Sequence, residues 1–168
     1  MKFPILRLMA GTALFAALSL PVFAHTMTQA ELCMGGIGSN CTIGYATQIY
    51  GAPTKVERWD GDSVHIVSYD WGGFHVIGRV PLSDARPEVD YPVMGFIMKD
   101  NNLSTPSGIA VGQSYSQVLS RFGEASTTVS QGTGLTSYVY AFPTTGQTLS
   151  FNVNGQGIIT EINFGSVL

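Results

Sequence analysis

Apolar side chains recur at helical spacing in the second half of the chain. Val111, Tyr115, Val118, Leu119 and Phe122 fall at intervals of 4, 3, 1 and 3, which lines them up on one face of a helix. Ser114 stands where an N-cap is wanted, and Gly123 where a left-handed residue ends the helix. Beyond it the period changes to two. Leu135 to Phe142 alternates up to Pro143, and Leu149 to Val153 stops at the turn signal Asn154-Gly155. Ile158 to Phe164 carries Ile158, Ile162 and Phe164 on one parity and Ile159, Glu161 and Asn163 on the other. These segments predict three strands with one half-buried face.

The first half follows the same plan. Ile43, Ala46, Ile49 and Tyr50 predict a short helix stopped by Gly51-Ala52-Pro53. Val64 to Tyr69 and Phe74 to Val80 predict a hairpin around Asp70-Trp71-Gly72-Gly73, and Val93 to Lys99 a third strand. Pro81 to Glu88 is polar, punctuated by prolines and without a counterpart in the second half, the signature of a loop insertion. Asp100 to Ser107 joins the halves.

The correspondence is also literal. Gly36-Ile37 through Tyr50-Gly51 returns as Gly108-Ile109 through Phe122-Gly123, shifted by a constant 72 positions without a gap. Self-similarity at a fixed period points to a duplicated structural unit. The expected fold is therefore α+β: two tandem copies of a helix plus three-stranded antiparallel unit, the helices packed on one face of the sheet. Residues 25–107 form the first copy with its insertion and linker, and residues 108–168 the second.

The glycine-led motif Gly108-Ile109-Ala110-Val111-Gly112-Gln113-Ser114, then Val118 and Phe122-Gly123, resembles the tandem repeats of the β-lactamase-inhibitory-protein fold. The single-copy unit is similar to the small outer-membrane lipoproteins that assist β-barrel assembly. The resemblance implies the fold and carries over no functional residue. The chain departs from the motif at Asn40, which stands where the second copy has Gly112, and Cys33 follows Glu31-Leu32 rather than the small residues of a lipid-attachment site.

The first 24 residues read as an export signal. Lys2 and Arg7 precede an apolar run from Leu8 to Leu20, and Val22-Phe23-Ala24 is a small-residue cleavage site. The run is short for a membrane span of roughly 20 residues. A cleaved chain would begin at His25 and reside in the periplasm or outside the cell. Of eight basic and eleven acidic residues, cleavage removes two basic ones, leaving six against eleven and a net charge of −5. No basic patch forms, which argues against nucleic-acid binding. Sparse charge with abundant Gly, Ser, Thr and Asn fits a β-rich exported protein.

Cys33 and Cys41 are the only cysteines. Seven intervening residues fit neither C-x-x-C nor zinc-knuckle spacing, so a structural disulfide is expected in an oxidising compartment. His25 at a free amino terminus, with His65 or His75, offers the alternative of a periplasmic metal or small-ligand site. A turn centred between Trp71 and Gly72 would pair residues summing to 143. That register sets His65 against Gly78 and His75 against Ser68, on opposite faces.

Aromatic and acidic side chains gather around the first hairpin. Trp59, Asp60, Asp62, Tyr69, Asp70 and Trp71 form the candidate protein-binding set, because Trp and Tyr bury much area at low entropic cost. Phe74 is expected in the core. G-x-S-x-G, H-E-x-x-H and phosphate-binding glycine loops are missing, and the acidic residues are scattered over turns. The sequence thus predicts no enzyme and no cofactor. It predicts an exported module that binds another exported or envelope protein, as an envelope-assembly accessory or as an inhibitor of a secreted enzyme.

Overall fold

The computed structural model describes residues 26–132 and 134–166. The expected export signal and His25 lie outside the described residues. A 3-10 turn at Gln29–Glu31 leads into a small hairpin of β1 (Cys33–Met34) and β2 (Ile37–Gly38), closed by Gly35 and Gly36. Then come α1 (Ile43–Tyr50), β3 (Lys55–Asp60), β4 (Val64–Asp70), β5 (Phe74–Pro81) and, after a 3-10 turn at Glu88–Asp90, β6 (Val93–Met98). The second half follows with α2 (Tyr115–Phe122), β7 (Thr127–Ser130), β8 (Thr136–Phe142), β9 (Gln147–Val153) and β10 (Ile159–Ser166).

Both helices start and stop for the reasons written in their sequences. The Thr42 hydroxyl accepts from the Tyr45 N–H at 3.2 Å, and the Ser114 hydroxyl from the Ser116 N–H at 3.3 Å. Gly51 and Gly123 end the helices at φ 77° and 76°, a backbone region that costs glycine little.

The expectation of two helix-plus-three-strand units, with helices packed on one face of the sheet, is corrected on two points. Eight strands make a single antiparallel sheet in the order β3-β4-β5-β6-β10-β9-β8-β7. Each half supplies four of them, because β3 and β7 add an outer strand beside each expected trio. Nor do the helices form a helical layer. Each is eight residues long and buries two side chains, Ile43 and Ala46 from α1 and Tyr115 and Val118 from α2. The remaining cover comes from Met27, Leu32, Met34 and Ile37 of the leading segment and from Tyr91 and Ile109 of the connections, all in the same core.

Alternation along the strands sets the faces. Phe74, Val76 and Val80 of β5, Phe96 and Met98 of β6, Leu149, Phe151 and Val153 of β9, and Ile162 and Phe164 of β10 are buried on the inner face. The halves join where β6 pairs with β10, with Phe96 opposite Phe164 and Met98 opposite Ile162. Gly78 brings β5 close to α1: a Cβ there would lie 2.6 Å from Cγ1 of Ile43 and 3.0 Å from Cβ of Tyr91. The other face of the sheet carries no helix and is only half-buried.

The first hairpin is displaced by two residues from the expected register. Asp70 pairs with His75, Val67 with Gly78 and His65 with Val80, a sum of 145. A shift of two preserves parity, so the two histidines still lie on opposite faces.

Candidate functional site

The sheet divides the expected binding set between its two faces. Trp59 pairs with Ile66, and Ile66 with Arg79, all on the open face. Trp59 is 46% exposed. Asp70 shares that face, where its Oδ1 accepts from the Gly72 N–H at 2.7 Å and lies 3.8 Å from Nε2 of His75. Asp62 is exposed in the turn between β3 and β4.

Asp60, Tyr69 and Trp71 have the opposite parity and lie on the inner side. Asp60 Oδ1 is 2.6 Å from Nδ1 of His65. Tyr69 is half-buried; burial, and then the Glu88 carboxylate, push its hydroxyl pKa up. Trp71 packs between Tyr50 and Phe74, with ring centroids at 5.7 and 6.5 Å, and its indole N–H donates to the Gly51 carbonyl at 3.1 Å. Phe74 is 4% exposed and reaches Phe96 in the core, as expected. The pairs Trp59-Asp60 and Tyr69-Asp70 are each split because consecutive strand residues point to opposite faces. Trp71 is therefore occupied by the end of α1, while Trp59 is the tryptophan turned to the outside.

The open face contains residues that the hairpin-centred expectation passed over. Ile66, paired with Trp59, and Ile77, two strands away from it, are half-buried aliphatics of this face, with Glu57 and Arg79 on the same side. Their common parity on paired strands is the signal that finds them, once β3 is recognised as a strand. At the seam, Glu161 Oε1 accepts from Nδ2 of Asn152 at 2.7 Å and of Asn163 at 2.9 Å, and Lys99 Nζ stands 3.7 Å from Oε2. Beyond the seam the face changes character. No charged residue occurs between Glu124 and Glu161, so β7, β8 and β9 present hydroxyls, amides and small apolar groups.

Other clusters offer little chemistry. A cleft of about 110 Å³ is lined by Arg58, Asp60, His65, Glu88 and Tyr91, but its charges satisfy one another, with Arg58 Nε 2.5 Å from Glu88 Oε1. Among the described residues no three His, Cys, Asp or Glu side chains converge as a metal-binding group. His65 and His75 cannot share an ion across the sheet. Cys33 and Cys41 are free thiols here rather than the expected disulfide. Both line one surface depression of about 390 Å³ with Tyr45 and Asn40. No described helix is long and apolar enough to cross a membrane.

No protein-family model matches the sequence, and no curated protein matches it. Similar solved structures include three bacterial proteins. A cysteine-rich secretory protein from Staphylococcus aureus matches with a TM-score of 0.50 and 10% identity, over 82% of this chain and 48% of that one. A DUF4309 family protein from Bacillus subtilis matches with a TM-score of 0.43 and 14% identity, over 75% and 78% of the two chains. A candidate β-lactamase inhibitor protein from Streptococcus mutans matches with a TM-score of 0.30 and 14% identity, over 76% and 84%. The chain spans about half the length of the staphylococcal protein. The likeness to that protein is one of fold.

Proposed function

We propose that the protein is an exported, non-catalytic binding module that grips another exported or envelope protein across the open face of its sheet, beginning at Trp59. Trp59 carries the proposal: a large aromatic side chain on an open sheet face, beside Ile66, with Glu57 on its own strand and Arg79 beyond Ile66, has the composition of a binding hot spot. A broad, shallow sheet surface suits a protein partner better than an enclosed small molecule. The N-terminal apolar segment and the secretory origin of the staphylococcal structural neighbour support export. The partner would be a secreted enzyme or a component of envelope assembly.

The test is capture from envelope and secreted fractions with three baits: wild type, Trp59→Ala, and Thr148→Ala as an open-face control across the seam. Loss of one stoichiometric partner with Trp59→Ala alone is the expected result. Identical partner lists for wild type and Trp59→Ala would remove this face from consideration. Mass measurement of the exported protein checks cleavage after Ala24.

A further inference from the structure

The two outer edges of the sheet differ in a way that decides what can pair with them. β3 carries Lys55, Glu57, Arg58 and Asp60, whereas β7 (Thr-Thr-Val-Ser) carries no charge and has none nearby before Glu124 or after it until Glu161. All four β7 residues are exposed, Val129 by 48%. An edge strand offers unpaired N–H and C=O groups to any further strand, and charged side chains are the usual guard against it. β7 has no such guard.

Symmetry sets which residues would meet at each edge. Two copies pairing edge to edge and antiparallel are related by a two-fold axis normal to the sheet, so the residue on the axis meets its own copy. Centred on Glu57, Arg58 or Asp60 of β3, that axis would set a charge against its own copy, and like charges directly opposite are destabilising; only centres at Val56 and Trp59 would bring opposite charges together. Centred on Thr128 of β7, it sets Thr128 against Thr128, Thr127 against Val129 and Ser126 against Ser130. Thr–Thr and Thr–Val are favourable cross-strand neighbours. The backbone agrees. Gln131 N–H donates to the Leu135 carbonyl at 3.0 Å, in register with Val129 opposite Ser137 and Thr127 opposite Val139. Bonding direction alternates along an antiparallel strand, so Thr128 and Ser130 turn their backbone groups away from β8.

We propose that the β7 edge is a self-association surface, on which a second copy of this chain adds its own β7 antiparallel about Thr128 and joins the two sheets edge to edge. This edge lies across the sheet from Trp59 and does not depend on the binding role proposed for that residue.

Sedimentation equilibrium of the protein expressed from its full sequence tests the proposal. Wild type and Trp59→Ala are expected to rise with concentration towards twice the monomer mass. Thr128→Pro removes an outward N–H while leaving the β8 pairing, as edge prolines do, and is expected to hold the monomer mass with an unchanged circular dichroism spectrum. Val129→Lys places a charge on the edge, opposite Thr127 of the second copy, and is expected to do the same, which keeps the test open if the proline disturbs folding. A wild type that stays monomeric at every concentration overturns the proposal, including the case in which β7 takes up an extended segment of another protein. So does a dimer that persists in both folded β7 variants.

Discussion

The indole nitrogen of Trp71 donates to the carbonyl of Gly51 at 3.1 Å, tying the end of α1 to the turn that follows β4. The second half solves the same problem with a different side chain: the Tyr140 hydroxyl, on β8, donates to the carbonyl of Gly123 at 2.8 Å. Helix ends leave carbonyls without an intrahelical partner, and a residue of positive φ just beyond the helix turns its own carbonyl out of line. In both halves an aromatic side chain near the second strand after the helix meets that need.

Trp71 and Trp59 should therefore separate stability from binding. Trp71→Phe keeps the ring but loses the hydrogen bond, at a cost of about 1 kcal/mol. Trp71→Ala also leaves a gap beside Tyr50 and Phe74 and should cost about 2–4 kcal/mol. Trp59→Ala should change stability by less than about 0.5 kcal/mol. Urea unfolding followed by circular dichroism measures all three. Equal losses for the two alanine variants would contradict the division of labour.

Gly78→Ala should destabilise the protein by about 1–3 kcal/mol, because the added methyl meets Ile43 and Tyr91 in a packed interior. Gly155→Ala, where nothing lies within 4 Å of the added group, is the matched control. Thermal unfolding of the pair reads the difference, and a Gly78→Ala variant as stable as the control would show that α1 can lift away from β5 freely.

Alkaline pH should weaken the second half first. The Tyr115 hydroxyl stands 3.0 Å from that of Tyr140, which gives its own proton to Gly123, so Tyr115 is the donor between them. Burial pushes both hydroxyl pKa values up, and for Tyr115 its bond to Tyr140 pushes further in the same direction. A raised folded-state pKa means that the unfolded chain ionises first. The stability these tyrosines contribute is thus complete below the ordinary tyrosine value of about 10 and falls as pH rises beyond it. Urea midpoints at about pH 8 and about pH 11 should differ less for Tyr115→Phe than for wild type.

Cys33 and Cys41 line one depression, and in an oxidising compartment they should join, with about 2–3 kcal/mol of stabilisation from the short loop. Protein recovered from such a compartment should resist maleimide until it is reduced, then take one label per cysteine. Full labelling without reductant would show that the thiols stay apart.

Much of this fold is visible in the sequence wherever a segment has a buried side. Ile43 to Tyr50 coincides with α1, and the six inner strands fall where alternation or turn signals place them. β3 and β7 went unpredicted for a shared reason. Five of the six positions in β3, and all four in β7, are exposed, so neither strand has an apolar parity to detect. The seam is a second blind spot, because the pairing of Phe96 with Phe164 joins residues far apart in sequence and leaves no local trace. The candidate site failed at a finer scale. Both tryptophans look alike in sequence, and only the strand parity of Trp59 and the helix end beside Trp71 tell them apart.

The β6–β10 seam also fixes the order of events in the life of the chain. The strand at the centre of the sheet, β10, is the last of the described strands to be synthesised. Until it arrives, β6 is a third open edge carrying Phe96 and Ile97, and the two halves have no shared ladder. Long-range closure of this kind is slow and leaves nascent chains prone to wrong pairing. Completion of the sheet is therefore a late, all-at-once event, and a chain interrupted before Ile159 would leave β6 and β9 as two unpaired edges.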